Sequence, residues 1–258
     1  MILKEFKSDR LDVRVYDTRK SMGSAAADDV AACIRKLLSQ KAEIWMIFAA
    51  APSQNEFLEA LAAEPDIEWD RIHALHMDEY IGLPEDAPQG FGNFLRAAIF
   101  SKVPFASVDY IGSGGDPDEA CRRYGAILDS VTVDIVCMGI GENGHIAFND
   151  PHVADFNDPL KIKKVKLDVK CRLQQVHDGC FGDISEVPEY ALTLTVPAMF
   201  KAGYLFCIVP AATKAEAVRS AVFGPVTEQC PASILRKHGN SVLYTDPDSA
   251  EYIMDRAV

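Results

Sequence analysis

Two loops in this chain carry residue types that move protons. In the segment His76-Met77-Asp78-Glu79-Tyr80-Ile81-Gly82-Leu83-Pro84, two adjacent carboxylates follow an apolar run, and a Gly and a Pro fix the turn behind them. At a strand end, successive side chains point to opposite faces, so one carboxylate can enter a site while its neighbour joins a supporting network. The segment GIGENGHIAFNDP at 139–151 places Gly139, Gly141 and Gly144 around His145. Glycines permit tight left-handed turns. An imidazole with an unperturbed pKa near about 6.5 suits proton transfer at neutral pH. The loop is no dinucleotide fingerprint, because it lacks GxGxxG followed by a long helical pattern. The plain alternatives are a solvated acidic turn and a structural histidine.

Two further loops suit an anion. Ala51-Pro52-Ser53-Gln54-Asn55-Glu56 has capping-box spacing between Ser53 and Glu56. Pro210-Ala211-Ala212-Thr213-Lys214 brings a hydroxyl and an ammonium to the start of another helical pattern. Either loop alone is explained by an ordinary helix cap. A helix N-terminus that follows a strand is also an anion site, and two of them in one chain suggest a phosphate clamp.

The elements that must position these loops alternate along the chain. Strand patterns cover residues 11–16, 44–49, 71–77, 108–111, 133–138, 161–167, 191–196, 204–209 and 241–244. Helical patterns cover 21–38, 53–63, 91–100, 116–128, 213–222, 231–237 and 247–254. On 21–38, Val30, Cys33, Ile34 and Leu37 fall on one face. This order predicts an α/β fold, doubly wound, with a mostly parallel sheet and helices on both faces. Ligands in such sheets sit beyond the carboxyl ends of strands, where all four loops fall. Neither a repeat nor a linker is evident, so one domain over 1–258 is expected. The stretch 150–182, with weak periodicity, is expected as a lid or an excursion.

Composition excludes several classes of function. The 258 residues are 48% hydrophobic, enough for one large core. Lys and Arg number 26 against 38 Asp and Glu, giving a net charge of −12. A broad nucleic-acid surface needs basic stripes and is not expected. The first residues, MILKEFKSDR, lack a signal-peptide pattern. The longest apolar runs, such as 44–52, are too short to span a bilayer, so no membrane partner is expected. The seven cysteines are scattered, with no CxxC pair, and predict reduced thiols in a cytoplasmic protein. His73 and His76 lack partners at ligand spacing and are taken as structural or network residues. Neither a metal nor a cofactor is expected.

Taken together, the loops resemble the glucosamine-6-phosphate deaminase/isomerase family, within the superfamily that includes 6-phosphogluconolactonases. MDEYIGLP at 77–84 and GIGENGHIAFNDP at 139–151 look like its two signatures. Val187-Pro188-Glu189-Tyr190-Ala191-Leu192-Thr193 and the Lys214-Ala215 helix fall in the expected order. The resemblance extends from about residue 40 to the C-terminus. It implies a Rossmann-like fold and a small-molecule substrate, an amino-hexose 6-phosphate converted to a ketose phosphate with loss of ammonia. It leaves a homo-oligomer open.

By this resemblance Asp78 is the proton-transferring carboxylate, His145 the ring-opening imidazole, and Asp150 the carboxylate that orients it. Glu79 and Gly144 contribute to the substrate site, and Ser53 and Lys214 to phosphate binding. The chain departs from the family pattern at Asn143, where Asp is usual, and at Asp150, where Glu is usual. Asn143 is still placed in the catalytic set, with its amide removing one ionisable member. A carboxylate restored there is expected either to raise activity or to move the alkaline limb of the pH profile upward. For the phosphate-binding arginine the nearest candidate is Arg172, with His177 as the alternative. A 6-phosphogluconolactonase and a non-catalytic sugar-phosphate sensor are the competing readings.

Overall fold

Strands rich in β-branched residues and fully apolar on both faces must lie inside a covered sheet. The computed structural model, which describes residues 1–255, has such a sheet at its centre. The last three positions of the expected 1–258 domain lie outside the described residues.

The chain opens with β1 (Ile2–Ser8) and β2 (Leu11–Tyr16), followed by α1 (Arg19–Leu38), β3 (Ile44–Phe48) and α2 (Asn55–Ala62). Next come β4 (Ile72–His76), β5 (Asp78–Tyr80), α3 (Phe91–Leu95), β6 (Ser107–Asp109), α4 (Pro117–Ser130) and β7 (Ile135–Met138). The last part contains β8 (Ile162–Lys166), α5 (Val169–His177), β9 (Tyr190–Leu194), α6 (Val196–Phe200), β10 (Tyr204–Val209), α7 (Ala215–Phe223) and β11 (Ser241–Thr245).

Eight strands form the main sheet in the order β1-β2-β11-β10-β7-β3-β4-β6. All neighbours are parallel except the β1–β2 edge. One apolar layer joins this sheet to α1, α2 and α3, through Val30, Ile34, Leu37, Phe57 and Leu61. The other joins it to α4, α6 and α7, through Tyr124, Leu128, Met199 and Val218. The doubly wound reading therefore holds, and the α1 face falls as its spacing predicts. Each fully buried aliphatic side chain on these faces contributes roughly 1.5–3 kcal/mol.

The differences from the expected elements have local causes. β1 is charged and mostly exposed, so periodicity hides it; it is an edge strand paired with β2. The strand expected over 191–196 ends at Leu194, because the Thr195 side chain accepts from the Ala198 N–H and starts α6. Residues 231–237 wind as a tighter 3₁₀ segment. The helix expected over 247–254 is a run of turns. There the Asp246 carboxylate accepts from the Ser249 N–H at 2.8 Å, and the Ser249 hydroxyl donates to the Val209 carbonyl at 2.6 Å. Such local side-chain bonds compete with helical ones.

A second sheet was not expected. Strands β5, β9 and β8 pair antiparallel in that order. The 150–182 stretch, expected as a lid or an excursion, supplies β8 and α5. This small sheet stands on the carboxyl edge of the large one, because β5 leaves directly from the end of β4.

Candidate active site

Parallel strands place all their carboxyl ends on one edge. The loops after β3, β4, β7 and β10 therefore meet, and the first three line one cleft. Ser53, Gln54, Asp78, His145, Gln174 and Gln175 are among its walls.

Asp78 begins β5 and is buried. Burial pushes its carboxyl well above the usual range, and the charge of Glu79 adds to the effect. Its backbone is held rigidly. The His76 Nδ1–H donates to the Asp78 carbonyl at 2.9 Å, while His76 Nε2 accepts from the Ile111 N–H at 2.9 Å. Burial lowers the His76 pKa to about 4, so the ring is neutral and this tautomer is fixed. His76 is thus a network residue. So is His73, which stacks on Trp45 and contacts Ser107 and Glu43.

Glu79 points the other way. Its carboxylate accepts from the N–H groups of Tyr80, Phe91 and Gly92 at 3.0, 2.9 and 2.8 Å. It anchors the start of α3 and is absent from the walls of the Asp78 cleft. The substrate contact expected of Glu79 is therefore replaced by a supporting role.

His145 lines the same cleft as Asp78. Its Nδ1 lies 2.6 Å from Asn143 Oδ1 and 3.1 Å from Asp150 Oδ1. Both partners accept, so Nδ1 carries a proton and Nε2 is left for the cleft. Gly141 makes room for the ring: a Cβ there would stand 2.0 Å from His145 Cε1. Gly144 has φ +83° and a buried, turn-forming backbone. Its carbonyl accepts from Ala232, and it shapes the loop without lining the cleft.

Asp150 is fully buried, which by itself opposes ionisation. The hydrogen bond and charge of His145, the Asn143 amide and the Asp168 N–H outweigh that burial and hold the carboxyl below its usual range. The Asp168 N–H donates to Asp150 Oδ2 at 3.0 Å, and Asp168 is also the N-cap of α5. The catalytic loop and α5 are therefore fastened to one carboxylate.

The small sheet joins the two proton-moving loops. Asp78 on β5 is paired with Thr193 on β9. The Thr193 hydroxyl accepts from the Phe148 N–H at 3.0 Å, and Asn149 donates to the Leu194 carbonyl at 2.8 Å. Asp78 and His145 are thus set by the same strand.

At the other end of the cleft, Ser53 lies in the single turn that precedes α2. Lys214 precedes α7; its ammonium is buried and makes no hydrogen bond among the described residues. Burial lowers its pKa, opposed by the carboxylates of Asp178 and Glu142. Gln174 binds both of these residues: its Oε1 accepts from the Glu142 N–H at 2.8 Å, and its Nε2 donates to Asp178 at 3.2 Å.

The cleft, lined by a buried carboxylate and a carboxylate-backed imidazole, sits on a chain with known relatives. The profile of the glucosamine-6-phosphate isomerases/6-phosphogluconolactonase family matches residues 17–244. The chain belongs to this family. It is 33% identical over 198 residues to a glucosamine-6-phosphate deaminase of Exiguobacterium sibiricum, covering 74% of this chain and 77% of that one. It is 34% identical over 181 residues to one of Bacillus cereus, covering 69% and 67%. Among solved structures, a monomeric glucosamine-6-phosphate deaminase superposes with a TM-score of 0.83 at 26% identity, covering 93% of this chain and 98% of that one. A 6-phosphogluconolactonase from Thermotoga maritima shares the fold, with a TM-score of 0.74 at 20% identity over 91% and 98% of the chains.

Within this glucosamine-6-phosphate isomerase/6-phosphogluconolactonase framework, Arg172 stands away from the cleft. Its Nη2 donates to the carbonyls of Ile184 and Val187 at 2.7 Å each, and it does not line the cleft. The guanidinium holds the 184–187 turn instead. His177, the alternative, is half exposed and lies 3.3 Å from Glu142. Sequence reasoning passed over Cys171, Gln174 and Gln175, which form one buried face of α5. The signal was present but inverted: Val169 and Leu173 are exposed while the glutamines are buried. Cys171 lies against Asp150, and ligand atoms of His145, Asp150 and Cys171 fall within 4.8 Å of one another. Burial and the nearby carboxylates push the thiol well up, and it serves as a hydrogen-bond partner of Asp150.

Proposed function

We propose that this chain is a glucosamine-6-phosphate deaminase, an aldose–ketose isomerase that converts the amino sugar phosphate and water to fructose 6-phosphate and ammonia. The observation that carries this reading is that Asp78 and His145 line one cleft, both tied to the same strand β9.

His145 is set to open the ring. Ionised Asp150 stabilises an imidazolium through Nδ1–H, so Nε2 can carry a proton to the ring oxygen. Asp78 then takes the C2 proton and returns it to C1. One carboxylate can serve both carbons because they are neighbours, and a raised pKa brings it closer to the operating pH. The resulting C2 imine adds water and releases ammonia. Ser53, the N–H groups at the start of α2, and Lys214 are assigned to the phosphate. Lactone hydrolysis needs no base at C2, so a buried, elevated Asp78 favours the deaminase over its lactonase relatives.

We read the chain as one catalytic domain. All seven cysteines are free thiols, which supports a cytoplasmic setting, and no described helix is long and apolar enough to cross a membrane. The test is incubation with glucosamine 6-phosphate, galactosamine 6-phosphate and 6-phosphogluconolactone. Ammonia release from the first is the expected result. Hydrolysis of the lactone without ammonia release from either amino sugar would overturn the reading.

A further inference from the structure

Helix α5 buries the wrong residues for a helix that merely covers a core. Its interior face is Cys171, Gln174 and Gln175, at i, i+3 and i+4, while Val169 and Leu173 stand in solvent. Glutamine is rarely buried this deeply without partners, because an unsatisfied amide costs roughly 1–3 kcal/mol. Gln174 has its partners in Glu142 and Asp178. Gln175 is 6% exposed; its carboxamide makes no hydrogen bond among the described residues and stays in contact with the open cleft. It lines the cleft, and it also lines an adjoining apolar cavity walled by Pro52, Pro88, Phe94 and Cys180.

The charge at this end of the cleft is unusual for a dianion site. Neither Arg nor Lys is among the described residues that line the cleft, and Arg172 lies outside it with its Nη2 on two backbone carbonyls. The one buried cation nearby, Lys214, is flanked by Asp178 and Glu142. A phosphate placed there meets one ammonium, the hydroxyl of Ser53 and the amides at the start of α2. Its remaining oxygens need a neutral donor from the α5 side.

We propose that Gln175 is that donor: a substrate-contacting, specificity-determining residue whose side-chain N–H groups bind the phosphate where a second cation would otherwise stand. This rests on the phosphate assignment made above. An amide donates without adding charge, so it binds the anion without competing with Asp178 and Glu142 for Lys214. The same side chain closes the wall between the cleft and the apolar cavity, so its loss also leaves the sugar less confined.

The experiment measures binding of glucosamine 6-phosphate and of unphosphorylated glucosamine by calorimetry, with KM and kcat, for Gln175→Ala, Gln175→Glu, Gln175→Arg and Lys214→Ala. Leu173→Ala, on the exposed face of the same helix, controls for helix damage. Gln175→Ala is expected to weaken the phosphorylated sugar about tenfold and leave the unphosphorylated sugar unchanged, with KM raised more than kcat is lowered. Gln175→Glu, nearly isosteric, weakens it further. Gln175→Arg recovers the affinity and makes it steeper in salt. An equal effect on both ligands, or none in any Gln175 variant while Lys214→Ala remains phosphate-selective, overturns the role of Gln175 alone. Loss of phosphate selectivity in neither Lys214→Ala nor the Gln175 variants overturns the phosphate assignment and the proposal together.

Discussion

Asn143 donates its side-chain N–H to Asp150 Oδ1 at 2.9 Å. Its carbonyl oxygen accepts from the His145 backbone N–H and faces His145 Nδ1. The amide is therefore oriented at both ends, with its donor toward a carboxylate and its acceptor toward a protonated nitrogen. No ionised carboxyl can do both.

This geometry reverses the expected sign of Asn143→Asp. From sequence, a carboxylate at this position restores an ionisable member and raises activity or extends the alkaline limb. In the structure it sets a half-buried carboxylate against the buried one of Asp150, which favours a proton shared between them. The expected outcome is a fall in kcat of about tenfold or more at neutral pH, with partial recovery on the acid side as the pair takes up its proton. A kcat–pH profile checks this, and activity equal to or above the parent at every pH would refute it.

Asp78→Asn should abolish turnover and raise stability together. Burial raises the folded-state pKa of Asp78, so the native state binds its proton more tightly than the unfolded chain does. Stability from this group is full below the unfolded carboxyl pKa and is lost as pH rises toward the folded one. Removing the charge therefore stabilises the fold at pH 7 and above and changes little near pH 3. A Tm gain of roughly 2–4 °C per kcal/mol is expected for a domain of this size. Turnover is followed by exchange of the substrate C2 hydrogen with deuterated water, and parent-like exchange would remove Asp78 from its role.

Lys214 should show the matching behaviour of a buried cation. Burial lowers its pKa, so affinity for a sugar phosphate is lost, as pH rises, earlier than with an ordinary lysine. Lys214→Met is expected to cost roughly tenfold to a hundredfold in affinity for the phosphorylated sugar, with little effect on the unphosphorylated one. It should also raise Tm at neutral pH, since the ammonium it removes is buried without a hydrogen bond. Calorimetric titration of both sugars decides the first point and thermal melts the second.

Gly141→Ala tests how closely the His145 ring is placed. The new Cβ would stand 2.0, 2.2 and 2.4 Å from Cε1, Nε2 and Nδ1. The ring must move, and a displacement of about 1 Å can cost on the order of a hundredfold in rate. The fold should persist, because the clash is with a side chain at the cleft. A kcat within twofold of the parent would mean that the ring is free to shift without cost.

The sequence by itself determined the alternation of elements, the parallel core and the identity of the loops that meet at its carboxyl edge. Periodicity is a local property, and Val30, Ile34 and Leu37 show their buried face without knowledge of what covers it. It also singled out Asp78 and His145, because each follows an apolar strand and the glycines around His145 announce a shaped loop. Tertiary structure alone decided where the polar groups point. Adjacent Asp78 and Glu79 alternate, one into the cleft and one beneath α3, because β5 begins at Asp78 and pairs with β9. Arg172 turns to the carbonyls of Ile184 and Val187, twelve and fifteen residues away, and Gln175 faces the cleft while Leu173 does not. The reason is that an apolar side chain needs only to leave water. A buried polar one needs a particular partner, and those partners come from segments that only the folded chain brings within hydrogen-bond reach.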